Sequence, residues 1–297
     1  MANITSLYLS NSRVQAAVGR PGAKQVKLRK IAEADLPEGC LINGVITNEA
    51  ALAAALNTFF ERNGLPRKKV ALVIESTQIM SKIFTVPFLS AKKLREIVAQ
   101  ELAAGTETLE QPLVDYMLLR RDKAAKKDTV MANSAEAAFI ESYAALAESA
   151  GFTIGSIDTA MAAALKLVGL LPCFNDRVCA VLSFDGDNVS ALLLENGHYK
   201  YASRSRLFSA HGTAALGSEV GQTLSGTNQF QLASKGQPIT DVFFTGCTAE
   251  DFTVCAPECA ALGFDAASLP NTPAAVVLPD GAALSSCLYT AGNLIGR

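Results

Sequence analysis

The chain has 297 residues, enough for about two domains, and 49% of them are hydrophobic against 18% charged, which excludes a disordered protein. A formal net charge of -2 gives no general attraction to nucleic acid or anionic lipid, so partners are expected to be recognised by shape and none of them to be a nucleic acid. The start, MANITSLYLSNSR, lacks the basic stretch and apolar run of a signal peptide, and no window reaches about 18 uninterrupted apolar residues, so a cytoplasmic chain is expected.

Ser6 to Leu9, the polar Ser10-Asn11-Ser12-Arg13 and Val14 to Val18 read as strand, turn and strand. Gly19-Arg20-Pro21-Gly22 then turns the chain into a third strand, Gln25 to Ile31, in which Val26, Leu28 and Ile31 are interleaved with basic residues. Ala32 to Cys40 reads as a loop. Asn48 is a good N-cap for an alanine-rich helix, Glu49 to Arg62, closed by Asn63-Gly64. Lys69 to Ile74 is a short buried strand, separated by Glu75-Ser76-Thr77 from a strand over Ile79 to Val86 that Pro87 stops. Ser90 caps a helix with Leu94, Ile97, Val98 and Leu102 on one face.

Strands at Leu113 to Arg120 and Asp128 to Ala132 flank the basic loop Arg120 to Lys127. Such a loop could be a phosphate or membrane patch, but Asp122 and Asp128 dilute its charge, and a solvated hairpin is the simpler reading. Ser134 is expected to open a helix running to Ala150, ended by Gly151; Phe152 to Ile157 leads into an apolar helix, Ala160 to Leu171, broken by Pro172.

Val178 to Arg206 reads as three strands joined by the turns Asp185-Gly186-Asp187-Asn188 and Asn196-Gly197. Moved back by 175 positions, this stretch falls on the first meander: Ser183 on Tyr8, Asp185 on Ser10, Asn188 on Arg13 and Val189 on Val14. Two copies of one meander, each followed by helical material, predict a duplicated α/β architecture with a cleft between the halves. Gly212 to Lys235 is only weakly helical by propensity, because Gly217, Gly221 and Gly226 interrupt it. Asp241 to Thr245 is a strand ending at Gly246, Glu250 to Leu262 can form a helix, and a small strand near Val276-Val277 and a helix from Gly281 towards Leu294 complete the chain. The seven cysteines are scattered through apolar segments without metal-ligand spacing and are expected to be free, and His198 and His211 stand alone.

Two such meanders, an insert between Thr77 and Ala150, and a late strand ending in Thr-Gly resemble the actin-like ATPase superfamily and, more narrowly, the PilM-like proteins of type IV pilus assembly, which are similar to FtsA. Asn43-Gly44-Val45-Ile46 before an alanine-rich helix, Ile79 to Pro87 with Leu89-Ser90, and Glu141-Ser142-Tyr143 through Ala150-Gly151-Phe152 to Ile157-Asp158 carry the narrower resemblance, which covers nearly the whole chain. It implies duplicated actin-like (ribonuclease H-like) domains with an inserted small α+β (SHS2-like) subdomain: 1–76 and 151–175 for the first domain, 77–150 for the insert, and 176–297 for the second domain. Only about 30 residues separate the second meander from the Asp241 strand, so the subdomain that usually closes over the nucleotide is shortened.

In that superfamily each meander turn carries Asp-x-Gly with small hydroxyl residues, the carboxylate holding a hydrated Mg²⁺ and the backbone N–H groups approaching the phosphates. Here Tyr8 and Ser10 stand at those positions in the first copy, Ser183 and Asp185 in the second, and the late motif is Thr245-Gly246-Cys247-Thr248. The degenerate nucleotide-binding positions are therefore Ser10, Asn11, Ser12, Asp185, Gly186, Asp187, Asn188, Thr245 and Gly246. Tyr8 cannot replace a metal-binding carboxylate, and Asp185 with Asp187 places negative charge where phosphates should lie. The expectation is a pseudo-ATPase scaffold with no catalytic residue, no cofactor and no metal. The resemblance further implies docking of the short cytoplasmic tail of an inner-membrane, PilN-like pilus or secretion protein between the first domain and the insert, around Thr77 to Val86 and neighbouring surfaces. Membrane association would be indirect and self-association is open. One alternative is an active Mg²⁺-dependent ATPase or nucleotide switch that uses Asp185 or Asp187 as a displaced metal ligand. The other is an FtsA-like polymerising membrane tether, although Leu288 to Arg297 lacks a basic amphipathic helix; this end resembles the last helix of the fold, which leaves a natural continuation open.

Overall fold

The computed structural model describes residues 2–103 and 109–296; Met1, residues 104–108 and Arg297, including the outer limits expected for the first and last domains, lie outside the described residues. Three antiparallel strands open the chain: β1 (Ile4–Leu9), β2 (Arg13–Arg20) and β3 (Val26–Asp35). β3 reaches into the stretch expected as a loop from Ala32, because Ala32 and Ala34 pair with β2 and pack on the core. A small hairpin follows, β4 (Leu41–Ile42) and β5 (Val45–Ile46), turned by Asn43 and Gly44 at φ 51° and 76°. Those positive angles are the signature of a type I′ turn. In α1 (Glu49–Asn63) the Asn48 side chain accepts from the Ala51 N–H, Gly64 closes the helix in the left-handed conformation, and Leu52, Leu56, Phe59 and Phe60 are buried. β6 (Val70–Ile74), buried throughout, lies parallel to β1.

A small α+β unit is inserted next, made of β7 (Met80–Pro87), α2 (Ala91–Ala103), β8 (Pro112–Asp122) and β9 (Lys127–Glu136). Its strands are antiparallel in the order β7-β9-β8, and Val86, Leu94, Val98, Leu102, Val130 and Ala132 form its own core. Within the basic loop region Asp128 is only 1% exposed and takes two hydrogen bonds from Arg121, at 2.9 and 2.8 Å. Ser134 is buried inside β9 rather than capping a helix, because it pairs with Met80 on one side and Val114 on the other. The helix begins only after Glu136, as α3 (Ala137–Ser149). β10 (Ile154–Thr159) then joins β6 in parallel, and α4 (Ala160–Val168) ends ahead of a 3₁₀ turn at Pro172–Phe174 rather than running to Leu171.

The second half holds β11 (Val178–Asp185), β12 (Asn188–Glu195), β13 (His198–Arg206), α5 (Ala214–Ala233), β14 (Asp241–Thr245), α6 (Ala249–Ala261) and β15 (Asp265–Ser268). Its hairpin repeats the first one pair for pair. Leu9 faces Val14 and Tyr8 faces Gln15, while Phe184 faces Val189 and Ser183 faces Ser190, the same pairs moved by 175 positions. The irregularity in the next ladder also coincides, between Val18 and Gly19 in one copy and Leu193 and Leu194 in the other. In each copy the first strand lies parallel to a later one, β1 to β6 and β11 to β14.

α5 is one continuous helix of 20 residues, despite the three glycines that make it weak by propensity. A Cβ on Gly217 would stand 2.4 Å from the Val254 carbonyl oxygen, and one on Gly221 would stand 3.3 Å from Glu258 Cβ. The glycines allow α5 and α6 to touch backbone to backbone, and this packing overrides their propensity. The last segment departs from the expected second domain. β16 (Val276–Val277) pairs with β3, and after a 3₁₀ turn at Leu284–Ser286 the short α7 (Leu288–Asn293) packs on α4, β1 and β6. A Cβ on Gly292 would lie 2.0 Å from the Ala163 carbonyl oxygen, so this glycine permits the close crossing. The sheets thus run β10-β6-β1-β2-β3-β16 and β13-β12-β11-β14-β15.

Candidate functional site

The duplicated hairpins bring their turns together across the cleft. At the first turn Ser10 is buried, and both its N–H and its hydroxyl donate to the Arg13 carbonyl, at 3.0 and 3.2 Å. Asn11 is half-buried, and Ser12 is exposed, its carbonyl accepting from the Leu36 N–H. At the second turn Gly186 has φ 52°, and a Cβ there would stand 2.8 Å from Ser12 Oγ, so the two turns are in contact.

Asp185 is buried beside that contact. It accepts a 3.0 Å hydrogen bond from the Tyr8 hydroxyl, and the Arg13 guanidinium lies 3.6 Å from its Oδ1 while donating to the Phe184 carbonyl at 2.9 Å. Among the described residues Oδ1 itself has no hydrogen-bond partner. Asp187 is exposed on the other side of the turn and Asn188 is half-buried at the start of β12, so the two carboxylates do not converge. Thr245 donates to Ser183 Oγ at 2.9 Å, and Gly246, at φ 71°, donates its N–H to the Ser285 carbonyl.

Behind the turns, Glu75 at the end of β6 lies 3.5 Å from the Tyr8 hydroxyl and 3.6 Å from Arg204. Burial pushes the Glu75 carboxyl above its ordinary range, with Arg204 opposing the shift and Asp185 adding to it. Burial first, and then the charges of Asp185 and Glu75, also hold the Tyr8 phenol well above its usual value. Tyr289 packs its ring 4.9 Å from that of Tyr8, and burial raises its phenol too. A cavity of about 230 Å³ remains among Glu75, Ser183, Ser190, Arg204 and Tyr289. His211 is not isolated: Nδ1 lies 3.0 Å from Asp251 Oδ2, and Nε2 lies 3.2 Å from the Gly186 carbonyl.

Sequence reasoning therefore finds the turns but misses the contacts made by Arg13, Glu75, Arg204 and Tyr289. One signal was present: a cation in the first turn and a carboxylate in the second, at positions that duplication places opposite one another. A magnesium triphosphate between the turns would need the space taken by the Ser12–Gly186 contact, Tyr8 and Arg13, so the residues present do not fit that group there. Among the described residues no group of three or more His, Cys, Asp or Glu could hold a metal ion. The seven cysteines are free, and burial pushes the thiols of Cys179 and Cys287 up to about 12.

A second feature lies along β8, an outer strand of the inserted sheet. Leu113, Val114 and Leu118 are exposed on it. Between β8 and the first half is an apolar cavity of about 190 Å³ lined by Ile74, Ile79, Ile140, Ile157 and Ala162. It shares Asp115, Tyr116 and Met117 with a larger cavity of about 750 Å³, which continues to Leu119 and is bordered by Arg95, Lys166 and His198. Of Thr77 to Val86, Ile79 lines the apolar cavity, and residues 113–117 of β8 supply a further wall.

No protein-family model matches the sequence, and no curated protein does either. Among solved structures, a chain of the PilM–PilN type IV pilus biogenesis complex superposes with a TM-score of 0.79 over 99% of both chains at 17% identity. A Bacteroides thetaiotaomicron protein with actin-like ATPase fold and unknown function gives 0.52 over 89% of this chain and 90% of that one, at 12% identity. The ethanolamine utilization protein EutJ from Carboxydothermus hydrogenoformans also gives 0.52, over 99% and 90%, at 9% identity. At these identities the likeness is one of fold. The chain has the PilM-like form of the actin-like ATPase fold, two duplicated α/β halves with a small α+β unit inserted in the first.

Proposed function

We propose that this chain is a non-enzymatic actin-like scaffold of a type IV pilus or type II secretion-like assembly platform, placed at the cytoplasmic face of the membrane by the tail of a PilN-like partner. The observation that carries the reading is the outer edge of β8, lying along two joined cavities in a chain built like that of the PilM–PilN complex. An extended peptide can add to such an edge through main-chain hydrogen bonds, with every second side chain entering the apolar cavity. The stretch Leu113 to Leu119 accommodates about seven residues of peptide, roughly 23 Å of strand. The contact between the turns and the Tyr8–Asp185–Arg13 cluster support the non-enzymatic part, because they fill the gap in which phosphates would lie.

One observation favours the rival reading, a Mg²⁺-dependent ATPase: the buried Asp185 Oδ1, without a hydrogen-bond partner among the described residues, is an atom that a cation could take if Arg13 swung away. The scaffold reading is tested by calorimetry with a synthetic N-terminal tail of a PilN-like protein. Micromolar binding is expected, weakened at least tenfold by Leu113→Arg, which places a charge at the mouth of the apolar cavity. No binding at high micromolar peptide, or binding indifferent to Leu113→Arg, contradicts it.

A further inference from the structure

We propose that the exposed basic surface formed by the end of β2, the β2–β3 turn and β3 meets an anionic lipid bilayer directly. Residues 13–32 carry six basic residues and no acidic one. Arg13 turns into the cleft, whereas Arg20, Lys24, Lys27, Arg29 and Lys30 are all exposed. None of these five has a carboxylate within 4.0 Å among the described residues.

The backbone presents these charges as a ribbon. Val26 and Leu28 are fully or nearly buried, so Lys27 faces outward between them. The ladder skips Arg29, pairing Gly19 with Leu28 and Val18 with Lys30, and this irregularity leaves two successive basic residues exposed where strict alternation would bury one. Arg20 stands directly opposite Lys27 across the β2–β3 ladder. Like charges in register weaken a sheet. Among the described residues no carboxylate within 4.0 Å offsets that repulsion, but a polyanionic plane outside the fold would. From Lys24 to Lys30 the ribbon is about 20 Å long.

Charge is also polarised over the molecule. Residues 1–175 carry 20 basic and 17 acidic residues, against six and 11 in residues 176–297. Between Leu207 and Gly296 Lys235 is the single basic residue beside seven acidic ones. An anionic surface therefore attracts one face and repels the other half, which orients the protein as well as binding it. The net charge of -2 hides this local patch. No aromatic residue lies in 13–32 to stack on bases, and the acidic half opposes wrapping by a polyanion, so a lipid surface fits better than nucleic acid. Ala23, between β2 and β3, lines the larger cavity beside β8 together with Arg95. A tail held there, on the proposed reading of that groove, would emerge beside the basic face.

The test is sedimentation of the whole chain with phosphatidylcholine vesicles, with and without phosphatidylglycerol. Binding is expected only to the anionic vesicles and should weaken as salt rises, because exposed charges are screened. Each basic residue at such a surface contributes roughly a fivefold factor, so Lys27→Ala with Arg29→Ala should lower partitioning about 25-fold. Lys235→Ala should leave it unchanged, and melting temperatures check that each variant is folded. Equal binding to both vesicles, no binding, or no effect of the paired substitution overturns the proposal. Tighter Lys27- and Arg29-dependent binding to duplex DNA, or self-association that depends on the same pair, would reassign the face to nucleic acid or to a second copy. No partner peptide is present, so failure of the tail reading does not affect the outcome.

Discussion

Asp185 is held from across the cleft by Tyr8 and Arg13, residues of the other copy's hairpin. A buried carboxylate needs a donor or a cation, and here the protein supplies both from its own chain. That Tyr8 could not serve as a metal ligand was legible in the sequence; that its hydroxyl would reach a carboxylate 177 positions away was not, because strand patterns fix alternation and not which turn faces which. Glu75 shares this crowded environment and gives it a pH signature. The fold raises its carboxyl above the unfolded value of about 4.3, so between the two values the native chain binds more protons than the unfolded one. Stability therefore falls as pH rises through that window. Glu75→Gln removes this term, and its melting temperature relative to wild type should climb from about pH 4 and level off once Glu75 is ionised in the fold. A relative melting temperature that drops over the same range would contradict the assignment of burial as the dominant influence.

At the scale of elements, the duplicated meander was readable because hairpin turns and apolar alternation are local, and the two ladders keep one register under the same shift. Where sequence misled, tertiary partners decided. Ser134 has a helix-capping side chain but two strands to pair with, and α5 has three glycines but a helix to lean on. The glycines are not equivalent, which makes a paired experiment. Gly217→Ala should cost about 1–3 kcal/mol by overpacking against the Val254 carbonyl, although alanine is the better helix former. At Gly226 nothing lies within 4 Å of an added Cβ, and Gly226→Ala should stabilise by up to about 1 kcal/mol. Denaturant unfolding of both variants checks the pair, and a stabilising Gly217→Ala would mean that α5 and α6 are not in backbone contact.

Across the whole molecule, the C-terminal segment ties the halves together. α7 and β16 return to the first sheet, Gln15 donates to the Ser286 carbonyl at 2.5 Å, Thr290 donates to Gln15 at 3.2 Å, and Gly246 bonds Ser285. No local pattern announces this return, since an apolar strand and helix suit either sheet equally well; composition likewise gives a net charge but not its separation into a basic face and an acidic half. The fold was thus legible through its repeats and turns, whereas the contents of the cleft depend on contacts between distant residues. Tyr8, Arg13 and the touching turns stand where the resemblance would place the phosphates, and on the proposed scaffold reading nucleotide has no seat there. The most direct measurement is the melting temperature of the wild-type chain titrated with ATP and ADP to millimolar concentration, with and without Mg²⁺, because a ligand that binds only the folded state must raise it. No shift is expected under any of these conditions; a rise that requires Mg²⁺ would contradict the scaffold reading.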